Sequence, residues 1–128
     1  MCMIRAAILA MLLASTATAM PICGKGLRVT CVVDGDTVWI EREKITLLGI
    51  DTPELSQPQC AQEALQAMEA RDRLAQILDG RVTIEREGQD RYGHTLARLH
   101  TPDGEAGAIL VREGFARAWT GRREPWCR

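Results

Sequence analysis

The chain has 128 residues, 16 basic against 17 acidic, and a formal net charge of −1. That length supports one core and excludes two full domains. The charge balance excludes a protein that holds nucleic acid by phosphate neutralisation alone, which needs a clear Lys/Arg excess, so such a partner would have to be met at a local site.

The first element in chain order reads as an export signal. Arg5 supplies a positive start, Ala6 to Ala14 is an unbroken apolar run, and Ala17-Thr18-Ala19 carries the small residues after which a signal peptidase cuts. A spanning helix needs about 20 apolar residues, more than this run provides. The expectation is a leader over 1–19 and one domain over 20–128, secreted or periplasmic, monomeric, and free of the membrane once the leader is removed. Cys2 leaves with the leader, so Cys23, Cys31, Cys60 and Cys127 remain. An even count suits disulfides in an oxidising compartment. Three pairings are open to four cysteines. The preferred one joins Cys23 to Cys31 across a local loop and Cys60 to Cys127, which ties the C-terminal tail to a small core. No C-x-x-C pair is present, which argues against zinc.

From Leu27 to Ile50 the pattern is strand-like. Leu27, Val29, Cys31 and Val33 alternate with polar residues, Val38 to Ile40 and Ile45 to Ile50 are short apolar runs, and Asp34-Gly35 and Glu41 to Lys44 mark turns. This predicts a three-stranded meander. The period becomes helical from Ala61 to Leu78, with Ala61, Ala64, Leu65, Met68, Leu74, Ala75 and Leu78 on one stripe and Gly80 as the cap. Arg81 to Arg86 and His94 to His100 read as strands, and Glu105 to Glu113 as a second helix stopped by Gly114. The fold class is mostly β with helices (α+β). Five short strands, with one helix after the third and another after the fifth, suit a small OB-type barrel.

Two acidic segments carry the chemistry. Asp34-Gly35-Asp36-Thr37 opens one strand, and Asp51-Thr52-Pro53-Glu54 follows a later one. The meander brings Asp36 and Asp51 to one end of the sheet. Hard oxygen donors of this kind, completed by a backbone carbonyl and water, suit Ca²⁺ or Mg²⁺. Glu54 lies close by without having to be a ligand, and so is placed to act on an attacking water.

With these segments, the sequence resembles the staphylococcal nuclease (thermonuclease) family of calcium-dependent phosphodiesterases. The matching text is Val33 to Val38, Leu47 to Glu54, Asp90-Arg91-Tyr92-Gly93 with Leu96-Ala97, and Leu110 to Ala116, in order between about Leu27 and Trp119. The resemblance implies an OB barrel and one Ca²⁺ ion held by Asp36, Asp51 and the backbone carbonyl of Thr52. It also implies Glu54 on the water, Arg91 and Tyr92 on substrate phosphate, and DNA or RNA as substrate, single strands favoured. The family's two phosphate-clamping arginines are absent, since their positions are Thr46 and His94. A guanidinium fork holds phosphoryl oxygens bidentately, whereas Thr46 offers one hydroxyl and His94 one or two ring N–H groups. Activity is therefore expected to be weak, with Lys44 as one possible substitute cation. The alternative is a catalytically silent relative that serves as an extracytoplasmic binding module.

Overall fold

A computed structural model describes Met11 and residues 18–128. The leader expected over 1–19 falls almost wholly outside the described residues, as does Cys2. Three strands, β1 (Cys31–Asp34), β2 (Thr37–Ile40) and β3 (Glu43–Leu47), form the expected antiparallel meander. Alternation buries Val32, Val38, Ile45 and Leu47 on one face. The first strand starts later than its sequence pattern implies. Leu27 is 80% exposed, because residues 23–31 form a loop closed by the Cys23–Cys31 disulfide, whose Cα atoms are 4.9 Å apart.

Between β2 and β3 the hairpin has two linking residues, Glu41 (φ 48°) and Arg42 (φ 69°). Both occupy the left-handed region that such turns require and that Asn-Gly fills more readily. The amide of Arg42 donates to the Val29 carbonyl (2.9 Å) and that of Glu41 to Thr30 Oγ1 (3.1 Å), which holds the strained turn against the preceding loop. Glu41→Asn with Arg42→Gly is expected to stabilise the fold by about 1 kcal/mol, or about 4–8 °C in thermal midpoint. A calorimetric scan showing no rise would mean that the native side chains contribute packing that offsets the strain.

After Leu48 and Gly49 come β4 (Ile50–Asp51), α1 (Ala61–Ile77), β5 (Thr83–Gln89), β6 (Thr95–Thr101), β7 (Gly104–Glu105), α2 (Ala106–Arg112) and β8 (Arg117–Ala118). The main sheet runs β1-β2-β3-β6-β5, with β3 and β6 parallel and β7 extending β6, while β4 pairs with β8. Taking the five longer strands in chain order, this is the 1-2-3-5-4 arrangement of an OB fold, confirming the fold class. The pieces β4, β7 and β8 escape sequence reading because two residues show no periodicity. β5 reaches Gln89 through an irregularity at Arg86/Gly88, beyond the expected Arg86.

The helix α1 is where expected, and Leu74, Ala75 and Leu78 face inward as expected, but its first half turns a different set inward. Ala67, Ala70, Leu74, Ala75, Ile77 and Leu78 are buried, whereas Leu65 and Met68 are exposed. Close approach decides this. A Cβ on Gly35 would meet that of Ala70 at 2.9 Å, so the β1–β2 turn touches the helix only where both partners are small. Gly80 is not the cap; Leu78 closes the helix by donating its N–H to the Leu74 carbonyl. In α2 the carboxylate of Glu105 accepts the amides of Gly107 (3.0 Å) and Ala108 (2.6 Å), an N-cap, and Gly114 (φ 83°) ends the helix as expected. Among the described residues no helix is long and apolar enough to cross a membrane.

Candidate active site

The two acidic segments meet through a glycine. A Cβ on Gly35 would lie 3.1 Å from Cγ2 and 3.3 Å from Cβ of Thr52, so the Asp34-Gly35-Asp36 turn packs directly against the Asp51-Thr52-Pro53-Glu54 segment. Asp34 Oδ1 accepts the Asp36 amide (3.1 Å), and the Thr37 hydroxyl donates to Asp36 Oδ1 (2.9 Å). Burial, followed by the Asp34 charge and more weakly the Glu54 charge, pushes Asp36 up to about 8. Asp51 is buried in β4, opposite Arg117 of β8. Burial raises its pKa too, against the opposing charges of Arg123 and Arg117.

Glu54 is held from two sides. Its amide donates to Glu63 Oε2 (3.1 Å), and its own carboxylate accepts from Ser56 Oγ (3.3 Å) and Arg123 Nη1 (2.9 Å). Glu63 is a buried acid in the first turn of α1, where Cys60 is the N-cap. Its other oxygen accepts the Gln59 amide (2.8 Å). The Gln59 amide, then the Glu54 amide and the Arg123 charge, hold its pKa below the usual carboxylate value despite burial. Glu63 escaped sequence reading because it interrupts an apolar stripe. Its signal is the third helical position, where a carboxylate reaches back to amides before the helix.

The two arginines of the tail differ: Arg122 is solvated, with 82% of its side chain exposed, whereas Arg123 turns inward. Its Nη2 lies 3.4 Å from the Thr52 carbonyl and 3.6 Å from Glu63 Oε2. The Cys60–Cys127 disulfide, in the preferred pairing, anchors the tail that carries it. Arg117 adds a brace, donating to the carbonyls of Pro125 (3.2 Å) and Glu124 (3.4 Å) with its guanidinium 3.7 Å above the Trp126 ring. Together Glu54, Gln59, Glu63, Arg123 and Trp126 line a cleft of about 460 Å³.

Arg91, Tyr92 and His94 sit in the β5–β6 turn and do not line that cleft. Asp90 Oδ1 accepts the amides of Tyr92 (2.8 Å) and His94 (2.9 Å), and its Oδ2 is 3.2 Å from His94 Nδ1. Tyr92 is 69% exposed, with the Arg91 guanidinium 4.9 Å from its ring centre. Thr46 of β3 pairs with Leu96 of β6, and His94 lies in the turn one residue before β6 begins, two residues from Leu96. Lys44 faces Trp39 in the β2–β3 ladder.

Among the described residues, no three His, Cys, Asp or Glu side chains gather closely enough to enclose a metal unaided. The donors nevertheless fit a hard cation that keeps several water ligands. Burial and the neighbouring acids disfavour uncompensated negative charge at Asp36, which a cation would relieve, and the Thr52 carbonyl oxygen faces a positive charge, that of Arg123.

Two acidic segments thus meet beside a buttressed glutamate on a small α+β domain of OB topology. Comparison with known proteins identifies the family. A family model described as "Staphylococcal nuclease homologue" matches residues 44–126. The chain is 34% identical over 101 residues to a thermonuclease of Staphylococcus intermedius, covering 74% of this chain and 60% of that protein. It is 31% identical over 98 residues to a thermonuclease of Staphylococcus hyicus, covering 71% and 57%. With a protein named "uncharacterized endonuclease" of Escherichia coli it shares 32% over 95 residues, covering 70% and 58%. The chain belongs to the staphylococcal nuclease family. It spans about three-fifths of the length of the relatives it matches.

Proposed function

We propose that this protein is an exported, calcium-dependent phosphodiesterase that hydrolyses DNA or RNA. The packing of Gly35 on Thr52 carries the reading, because it sets Asp36 beside the Asp51–Glu54 segment. Asp36, Asp51 and the Thr52 carbonyl would hold the ion, which would supply positive charge beside the reacting phosphate. Glu54, fixed at its amide by Glu63, takes a proton from the attacking water. Arg91, Tyr92 and His94 contact substrate from the β5–β6 turn. Two disulfides support export to an oxidising compartment.

The decisive assay is digestion of single-stranded DNA with Ca²⁺ or with chelator. Wild type is expected to cleave only with the ion, and Glu54→Gln to lose about 10² to 10⁴ in rate. The absence of arginine at Thr46 and His94 favours a second reading, a silent binding module. Calcium raising the melting temperature of a wild type that cuts nothing would select it.

A further inference from the structure

We propose that Arg123, delivered by the disulfide-anchored C-terminal tail, contacts the substrate phosphate and takes over work left undone at Thr46 and His94. The inference rests on the nuclease reading of the Glu54 site. Three observations and one chemical principle support it.

First, among the described residues Arg123 is the one cation lining the cleft that holds Glu54, against the carboxylates of Glu54, Glu63 and Glu124 on the same walls. In so acidic a cleft an anionic substrate depends on that single positive charge. Second, the guanidinium is already at the reacting group, with Nη1 2.9 Å from Glu54 Oε2 and Nη2 3.4 Å from the Thr52 carbonyl. Its side chain remains 49% exposed, so an entering phosphate can reach the fork.

Third, the placement is built. Arg123 lies four residues before Cys127, which is bonded to Cys60, the N-cap of the helix that supplies Glu63. Arg117 clamps the intervening Glu124 and Pro125 carbonyls and stacks on Trp126. An untethered terminal arginine would lose much more conformational entropy on docking. Fourth, only arginine carries a planar, permanently charged fork matched to two phosphoryl oxygens.

In hydrolysis, the water oxygen forms a bond to phosphorus as one P–O ester bond breaks. Glu54 accepts the water proton, and the departing sugar oxygen leaves with the bond's electron pair and takes a proton from solvent. Arg123 forms no covalent bond and gives up no proton. It exchanges its Glu54 contact for the non-bridging oxygens, where charge accumulates.

The test compares wild type, Arg123→Gln, Arg123→Lys and, as a surface control, Arg122→Gln. Each is assayed for calcium-dependent cleavage of single-stranded DNA and, in chelator, for affinity toward a short oligodeoxynucleotide. Thermal melts confirm folding. Arg123→Gln is expected to lose about 10³-fold in kcat/KM, the low end of the roughly 10³ to 10⁵ that a positioned arginine supplies in phosphoryl transfer. Arg123→Lys should recover part of that loss, and Arg122→Gln none of it should show. Cleavage by wild type with Arg123→Gln equal or faster overturns the inference alone, a faster variant marking Arg123 as a plug on Glu54. A wild type that cuts nothing but binds oligonucleotide through Arg123 removes the nuclease reading and keeps the phosphate contact. No cleavage, together with affinity indifferent to Arg123, removes both.

Discussion

Replacing Glu63 by alanine is expected to destabilise the protein by about 3–5 kcal/mol and to reduce cleavage in whatever fraction remains folded. The carboxylate is buried and accepts the amides of Gln59 and Glu54. Alanine removes two hydrogen bonds to a charged group, at about 1.5–3 kcal/mol each. It also frees the backbone of Glu54, so the loss in kcat should exceed any change in KM. Glu63→Gln keeps an acceptor for one amide and should fall midway. The effect has a defined pH dependence. Glu63 is depressed below its ordinary value of 4.5 in the folded state, so its contribution is present above pH about 4.5 and is lost as pH falls through the folded value. Denaturant titrations at pH 7 and pH 3 should therefore show the gap between wild type and Glu63→Gln narrowing at acid pH. A gap that widens there would mean that the carboxylate is not ionised in the native protein.

Restoring arginine at both vacant clamp positions, Thr46→Arg with His94→Arg, is expected to raise calcium-dependent cleavage at least about 10²-fold. Thr46 pairs with Leu96, two residues from His94 in the turn before β6, and both positions are half-buried, which leaves room for longer side chains. In phosphoryl transfer one well-placed arginine is worth roughly 10³ to 10⁵. The same variant probes the tail. With the clamp restored, the penalty of Arg123→Gln should shrink, because the groups would then share the work on one phosphate. A full Arg123 penalty in both backgrounds would show that Arg123 and the restored arginines contact different groups. No gain from the double substitution would place the reacting phosphate away from both positions.

Much of this site was legible in the residues. The Asp34-Gly35-Asp36-Thr37 and Asp51-Thr52-Pro53-Glu54 segments stand out only as a pair, since Asp-Gly alone is an ordinary turn signal, and the structure does pack one against the other. The cysteine pairing was approachable because a short loop and a terminal tail are the natural places for covalent ties. Less was legible in α1, where hydropathy nominated Leu65 and Met68 and the fold preferred Ala67 and Ala70.

Local rules thus determined the strands of the meander, the span of α1, the stop at Gly114 and the acidic character of the rim, since each depends on neighbours within a few residues. Tertiary structure alone decided that Glu63 would grip the Glu54 amide and that Arg123 would reach the same carboxylate across 69 residues of chain. The physical reason is that such contacts arise where separately formed elements pack, through close approaches such as Gly35 on Ala70 and Thr52 and through the Cys60–Cys127 tie. A periodic pattern encodes which face of an element is buried, and carries no record of which distant charge will be waiting there.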